Sequence, residues 1–261
     1  PERDAARRFS LLIGLDETKE RLLKEATILV DINCLEDWSR KHHGQRLAVL
    51  DHYAARPPLF IFHGDVGTGK TALAETFGDE LARQTDLPVT LYSLSLTARG
   101  TGAVGEMTTL LSMAFDEIRG AARRASAGAR PAAVSILMID EADALAQSRE
   151  LAQMHHEDRA GVNAIIRGID DIAEKQLPVV VVMCTNRLSA IDPAIKRRAA
   201  ASFSFERPTD DRRRQVICNA LEGAGLKRQT IATLDAATGP NGEREYGFSY
   251  SDLTHRLLPS L

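Results

Sequence analysis

A glycine-rich loop at residues 64–71, GDVGTGKT, has the residue types and spacing needed to hold a polyphosphate. Its glycines allow backbone N–H groups to turn inward, and the helix that begins near Lys70 adds the positive end of its dipole. Lys70 adds a full positive charge, and the Thr71 hydroxyl is placed to reach magnesium. The loop therefore predicts a site for a nucleoside triphosphate with Mg²⁺. The predicted binding residues are Asp65, Val66, Gly67, Thr68, Gly69, Lys70, Thr71 and Ala72.

The flanks of this loop distinguish it from a chance glycine-rich turn. Four apolar residues at 59–62 precede it, and a helix-period segment follows it. This is the strand–loop–helix context that the GxxxxGK[ST] motif requires. A chance turn is the alternative, and the flanking residues favour the phosphate site.

Polar residues also follow two later apolar segments, Asp140 and Glu141 after the first and Asn186 after the second. Because the carboxyl ends of parallel strands meet at one edge of a sheet, we expect these residues near Lys70. Asp140 would then help Thr71 to hold Mg²⁺, Glu141 would deprotonate an attacking water, and Asn186 would polarise that water. The alternative for Asp140 is a helix N-cap. The phosphate loop and Asn186 together favour the catalytic interpretation.

The elements that must position these residues alternate between strand and helix patterns. Apolar strand patterns occur at 59–62, 89–94, 134–139, 179–183 and 203–205, and helix-period segments separate them. The nearly all-valine segment is typical of a strand covered on both faces. The alternation predicts an α/β fold with an open, mostly parallel five-stranded sheet between helices, and a ligand at the carboxyl ends of the strands.

The pattern becomes purely helical after Pro208. We therefore predict an α/β nucleotide-binding domain at 1–208, with a helical segment at 1–58, and a small all-helical lid domain at 209–261. Within the first segment, the polar run 40–44 predicts a break between helices. His42 and His43 are interpreted as solvated residues of that loop rather than metal ligands.

Composition excludes several classes of function. The net charge is -3, and 26% of the residues are charged, which gives no global attraction to nucleic acid or to an anionic membrane. No apolar run approaches membrane-spanning length, and the first residues lack a signal-peptide core. The three cysteines are far apart and lack metal-site spacing. We therefore expect a cytoplasmic protein with reduced thiols.

Taken together, the motifs resemble those of the AAA+ ATPases. The resemblance implies ATP as the nucleotide and places Gly14 and Leu15 beside the adenine. It also implies a ring, usually a homohexamer, in which an arginine of one subunit touches the γ-phosphate bound by the next. The matching segments are GLDETKERL at 14–22, GDVGTGKT at 64–71, ILMIDEADAL at 136–145, MCTNR at 183–187 and GFSYSDL at 247–253.

A narrower resemblance rests on residues 191–208, IDPAIKRRAAASFSFERP. An arginine followed by alanine at this point is similar to the pachytene-checkpoint ATPases, which remodel HORMA-domain proteins. The resemblance places the arginine that acts in trans at Arg198. Arg197 is the near alternative, and a solvated helix surface is the alternative for either. Ser251 stands where this subfamily often has a lid arginine, so the lid would contribute less charge to the nucleotide.

Small bacterial members of that subfamily accompany anti-phage cyclic-oligonucleotide synthases and their HORMA partners. The resemblance therefore implies a HORMA-domain protein, bound to such a synthase, as the protein substrate. A general AAA+ chaperone or unfoldase is the first alternative. A loader or initiator acting on nucleic acid is the second, although the basic residues are scattered apart from 212–214. A nucleotide-gated scaffold without catalysis is the third, and the pair Asp140–Glu141 argues against it.

The loop that resembles a channel loop of ring remodelers departs from the usual pattern. It offers Ala103 and Val104 where an aromatic residue is usual, so we expect a weak or brief pull on a substrate. Flexible glycines alone would also explain this loop. A second polar loop at 147–158, which carries His155 and His156, is predicted to be another channel loop without a metal.

Overall fold

The computed structural model describes residues 3–96, 106–126, 130–144, 155–224, 228–242 and 244–261. Four helices precede the first strand: α1 Arg3–Ser10, α2 Asp16–Val30, α3 Asn33–His43 and α4 Leu50–Ala54. The α/β part follows as β1 Leu59–Gly64, α5 Lys70–Thr85, β2 Val89–Ser95, α6 Glu106–Ala125, β3 Val134–Asp140, α7 His155–Glu174, β4 Val179–Thr185, α8 Pro193–Lys196 and β5 Ala199–Phe205. The chain ends with α9 Asp210–Ala220, α10 Arg228–Thr238, a π-helical turn Asp252–Leu257 and a 3-10 turn Leu258–Ser260.

The five strands form one sheet in the order β2-β3-β4-β1-β5. All four strand pairs are parallel, and the central strands β1 and β4 pair from Leu59↔Val181 to His63↔Thr185. The predicted fold class is therefore confirmed. The sheet places the carboxyl ends of β1, β3 and β4 side by side, which is where the phosphate loop begins.

Each face of the sheet is covered by its own apolar layer, because successive side chains of a strand point to opposite faces. In β1, Ile61 faces a layer built on α6 and α7, and Phe62 faces a layer built on α2 and α5. The Phe62 ring packs against the Phe203 and Phe205 rings of β5, with centroids 5.4 Å and 5.1 Å away. The sheet is thus a rigid platform for its carboxyl edge.

Two local predictions were wrong, and a third had the right strand with a late start. Helix α3 continues through the polar residues at 40–43 and ends at Gly44, whose φ of 69° closes the helix. His42 and His43 are therefore exposed residues of its last turn, and their rings lie 5.2 Å and 5.3 Å from the Trp38 ring.

Helix α7 begins at His155, so the last four residues of the predicted loop 147–158 are helical. Strand β5 starts four residues earlier than predicted, because its alanines also pair with β1.

The described part of the chain after β5 consists of helices, turns and one isolated bridge, and it contacts the phosphate loop. The division predicted at residue 208 stays a prediction; the structure has β5 ending at Phe205 and Thr209 capping α9. Ser251 N donates a hydrogen bond to Gly67 O at 3.1 Å.

Among the helices of the described part of the chain, none is long and apolar enough to cross a membrane.

Candidate functional site

The backbone of the phosphate loop requires glycine where it leaves β1. Gly64 has φ of 147°, and a Cβ there would lie 2.0 Å from Phe205 O. Gly67 has φ of 74°, and a Cβ there would lie 2.5 Å from Ser249 Oγ. The buried Thr68 hydroxyl donates to Asp65 O at 2.7 Å, which fixes the turn from inside. Glycine is therefore required at Gly64 and Gly67 for two reasons, the positive φ and the close approach of neighbouring segments.

Lys70 lies at the first turn of α5 and folds back over the loop. Its Nζ donates to Gly64 O at 2.9 Å and to Asp65 O at 2.7 Å, and the residue is 6% exposed. Burial lowers the pKa of the Lys70 ammonium, and the negative charge of Asp140 is among the groups that oppose the shift. A buried cation that donates hydrogen bonds to two neutral carbonyls is suited to receive the charge of a phosphate.

Thr71 and Asp140 meet at the carboxyl edge of the sheet. Thr71 Oγ1 donates to Asp140 Oδ2 at 3.0 Å, and Asp140 Oδ1 accepts from Glu141 N at 2.8 Å. Among the described residues no group of three or more His, Cys, Asp or Glu side chains could hold a metal by itself. One hydroxyl and one carboxylate fit Mg²⁺, which commonly takes one or two protein ligands and completes its shell with phosphate oxygens and water.

Glu141 and Asn186 follow the ends of β3 and β4 and are exposed. Glu141 has φ of 55°, and its Oε2 accepts from Ser95 Oγ at 3.1 Å. Asp143 Oδ1 accepts from Asn186 N and from Thr185 Oγ1, both at 3.3 Å. Sequence reasoning did not identify Ser95 and Asp143, although Ser95 ends a strand at the same edge as Asp140 and gives that signal.

A cavity of about 360 Å³ joins these residues. Its lining includes the loop from Val66 to Ala72 and the apolar side chains of Leu15 and Val216. Apolar lining residues beside a phosphate-binding loop suit a purine base joined to phosphates. The lining residues are Leu11, Leu12, Ile13, Leu15, Val66, Gly67, Thr68, Gly69, Lys70, Thr71, Ala72, Asp140, Glu141, Cys184, Thr185, Asn186, Val216, Tyr250, Ser251, Thr254 and His255.

Two predicted binding residues lie beside this cavity rather than in its lining. Gly14 has φ of 73°, and a Cβ there would lie 2.6 Å from Arg212 Cδ and 2.9 Å from the Tyr250 hydroxyl oxygen. Asp65 directs its carboxylate to Arg207 Nε, 2.6 Å away. Gly14 therefore acts through backbone fit next to Leu15, and the Asp65 side chain is engaged elsewhere.

Arg198 lies at the opposite end of the sheet. It immediately precedes β5, whose register with β1 runs from Leu59↔Ala199 to Gly64↔Phe205. A strand of this length places Arg198 about 20 Å from the phosphate loop of its own chain. Its Nε and Nη2 donate to Asp170 at 2.7 Å and 2.9 Å. Arg198 cannot serve the nucleotide of its own chain, and its role in trans stays a prediction.

The remaining residues predicted from the sequence add no further contacts to the description of the site. Arg197, the alternative to Arg198, is exposed next to it. Ala103 and Val104 of the predicted channel loop lie outside the described residues. Ser251 lines the cavity through the segment that contacts Gly67.

The parallel sheet and its glycine-rich loop are those of the P-loop class of proteins. Residues 60–207 match the family of ATPases associated with various cellular activities (AAA), and the chain belongs to that family. The resemblance identified from the motifs is therefore confirmed.

The chain is similar to particular members of that family along its full length. It is 50% identical over 262 residues to CD-NTase-associated protein 6 of Escherichia coli strain MS 115-1, which covers 100% of this chain and 84% of that protein. It is 40% identical over 266 residues to the protein of the same name from E. coli strain KTE188, covering 100% and 85%.

Two solved structures agree with these relatives. A structure of an E. coli MS115-1 HORMA:CdnC:Trip13 complex contains a chain with TM-score 0.88 and 50% identity, covering 100% of this chain and 85% of that one. A structure of Rhizobiales Trip13 gives TM-score 0.73 and 42% identity, covering 100% and 86%. The chain is thus Trip13-like in both sequence and fold.

Proposed function

We propose that this chain hydrolyses ATP with Mg²⁺ and uses the energy to remodel a HORMA-domain protein that is bound to a cyclic-oligonucleotide synthase. One observation carries the hydrolysis: Lys70, Asp140, Glu141 and Asn186 line a single cavity at the carboxyl edge of the sheet. The partner is inferred from the relative seen in a HORMA:CdnC:Trip13 complex, to which this chain is 50% identical.

Each side chain at the edge has a proposed task. The loop N–H groups and the Lys70 ammonium bind the phosphates and offset their growing negative charge. Thr71 and Asp140 hold Mg²⁺, which when bound neutralises phosphate charge. Glu141 accepts a proton from the attacking water, and the Asn186 amide orients that water. Ser95 and Asp143 fix Glu141 and the end of β4 through the hydrogen bonds described above.

The position of Arg198 supports a site shared between subunits. Because Arg198 lies at the far end of β5, it can complete only the site of a neighbouring copy, and we propose a homohexamer. Hydrolysis should fall at least about 100-fold in R198A and in K70A. Mixing the two variants should restore part of the activity, since K70A subunits supply Arg198 to intact sites of R198A subunits. R197A alone tests the alternative, since it should hydrolyse ATP at the wild-type rate if Arg198 is the residue that acts in trans.

The decisive experiment uses an assembled HORMA–synthase complex. Wild-type protein with ATP and Mg²⁺ should dissociate the complex, as followed by size-exclusion chromatography. E141Q should still bind ATP but lose about 10²–10⁴-fold in phosphate release and leave the complex intact. Rapid phosphate release without dissociation would reject the partner and retain the ATPase. Normal hydrolysis by E141Q would reject the role given to Glu141.

A further inference from the structure

Arg207 connects the phosphate loop to the C-terminal part of the chain. It lies two residues after the end of β5, and its Nε donates to Asp65 Oδ2 at 2.6 Å. Its Nη1 donates to Gly247 O at 2.9 Å, and its guanidinium carbon lies 5.6 Å from the centre of the Tyr246 ring. One side chain therefore contacts both the second residue of the loop and the segment at 246–247.

The same C-terminal segment contacts the loop at a second place. Ser251 N donates to Gly67 O at 3.1 Å. Ser249 also lies close to the loop, since a Cβ on Gly67 would be 2.5 Å from Ser249 Oγ. The segment 246–251 is thus held against the loop at both Asp65 and Gly67. We call residues 246–251 the lid contact segment.

The charge of Asp65 makes the Arg207 contact matter for a phosphate ligand. An aspartate is ionised at neutral pH, and the hydrogen bond from Arg207 lowers the pKa of the Asp65 carboxyl further. An unpaired carboxylate in a loop that surrounds phosphates would repel them. The Arg207 guanidinium offsets this charge with a charge-assisted hydrogen bond.

The C-terminal part of the chain contributes no lysine or arginine to the described lining of the cavity. Among the described residues, those that this part of the chain contributes to the lining are Val216, Tyr250, Ser251, Thr254 and His255, and none is lysine or arginine. The lid contact segment itself contains no charged side chain, and Arg207 is a charged side chain that links it to the phosphate loop.

We propose that Arg207 is a positioning residue that couples the lid contact segment to the phosphate loop. This proposal rests on the proposed binding of ATP. It neutralises Asp65 and so keeps the loop receptive to ATP, and its second hydrogen bond keeps Gly247 in place against that loop. The charge function and the tethering function are separable by mutation.

Nucleotide affinity tests the charge function. R207A leaves Asp65 unpaired, so the affinity for a fluorescent ATP analogue should fall about fivefold. The double variant D65N/R207A has no charge to offset and should recover most of that loss. R256A is the matched control, because Arg256 pairs with Asp252 and its side chain is 83% exposed. It should change the affinity less than twofold.

Hydrogen exchange measured by mass spectrometry tests the tethering function. R207A and R207K should both raise exchange in peptides that contain residues 246–251, because a lysine ammonium cannot reproduce the two-way fork of the guanidinium. Peptides from α5 should be unaffected without nucleotide. R207K should retain more ATP affinity than R207A, since its positive charge remains near Asp65.

Two outcomes separate this proposal from the proposed function. If wild-type protein fails to bind the ATP analogue, the proposed function is rejected together with the coupling that depends on it. If wild-type protein binds but R207A matches it in affinity and in exchange of the lid contact segment, only the role of Arg207 is rejected. A loss in R207A that D65N does not relieve would contradict the charge function.

Discussion

The α/β part and the C-terminal helical part of this chain are stabilised in different ways. The α/β part has two extensive apolar layers, which include the fully buried side chains of Phe60, Phe62, Phe77 and Ile118. In the C-terminal part, the described buried apolar cluster contains Val216, Ile217 and Leu253. Because burial of apolar area dominates stability, the free energy of opening should be much smaller for the C-terminal part than for the α/β part.

Ion pairs accompany this small apolar cluster in the C-terminal part. Arg213 is buried and its Nη1 donates to Asp210 at 2.9 Å, and Arg214 Nε donates to the buried Asp235 at 2.9 Å. Ion pairs with an exposed partner add little net stability but fix geometry. The comparison indicates a well-packed sheet that carries the site and a helical part that should open at a lower free-energy cost.

The largest effect should come from the apolar layer of the sheet. F62A removes a fully buried ring that packs on Phe203 and Phe205, and the free energy of unfolding should fall by about 3–5 kcal/mol. Urea denaturation followed by circular dichroism measures this change. A loss below about 1 kcal/mol would show that the layer is less tightly packed than its burial indicates.

A smaller and more local effect is expected from L253A in the C-terminal cluster. Leu253 is fully buried, and its truncation should lower the free energy of opening of α9 and of the turn at Asp252–Leu257 by about 2 kcal/mol. Hydrogen exchange should rise in those helices while peptides of β1 and β4 stay protected. Equal loss of protection in the strands would mean that the two parts unfold as one unit.

The smallest effect concerns His63, at the junction of β1 and the loop. Burial, followed by the positive charge of Lys70, lowers the pKa of His63 below its ordinary value of 6.5. Between those two pKa values the unfolded chain binds more protons, so stability should decrease as pH falls through this window. The denaturation midpoint of wild type should therefore drop more than that of H63Q on acidification from pH 7. Parallel curves would exclude His63 as the source.

Local patterns and the geometry of parallel sheets made much of the fold and site predictable. Lys70 and Thr71 belong to a continuous motif, and the rule for strand ends placed Asp140 and Asn186 near them. Pairs far apart in sequence leave no such pattern, and Arg207 and Asp65 are 142 residues apart. His42 and His43 were misassigned because polar residues in a last helical turn have the composition of a loop.

Gly64 belongs to two structures at once, since it is opposite Phe205 in the β1–β5 ladder and is also the first residue of the phosphate loop. With the Phe205 carbonyl oxygen 2.0 Å from the position of a Cβ, an alanine here could fit only if the edge strand moved away from its neighbour. The alignment of that outer strand therefore defines where the loop leaves the sheet. The contact between Gly64 and Phe205 thus helps to assemble the sheet and also to set the geometry of the loop that would hold a ligand.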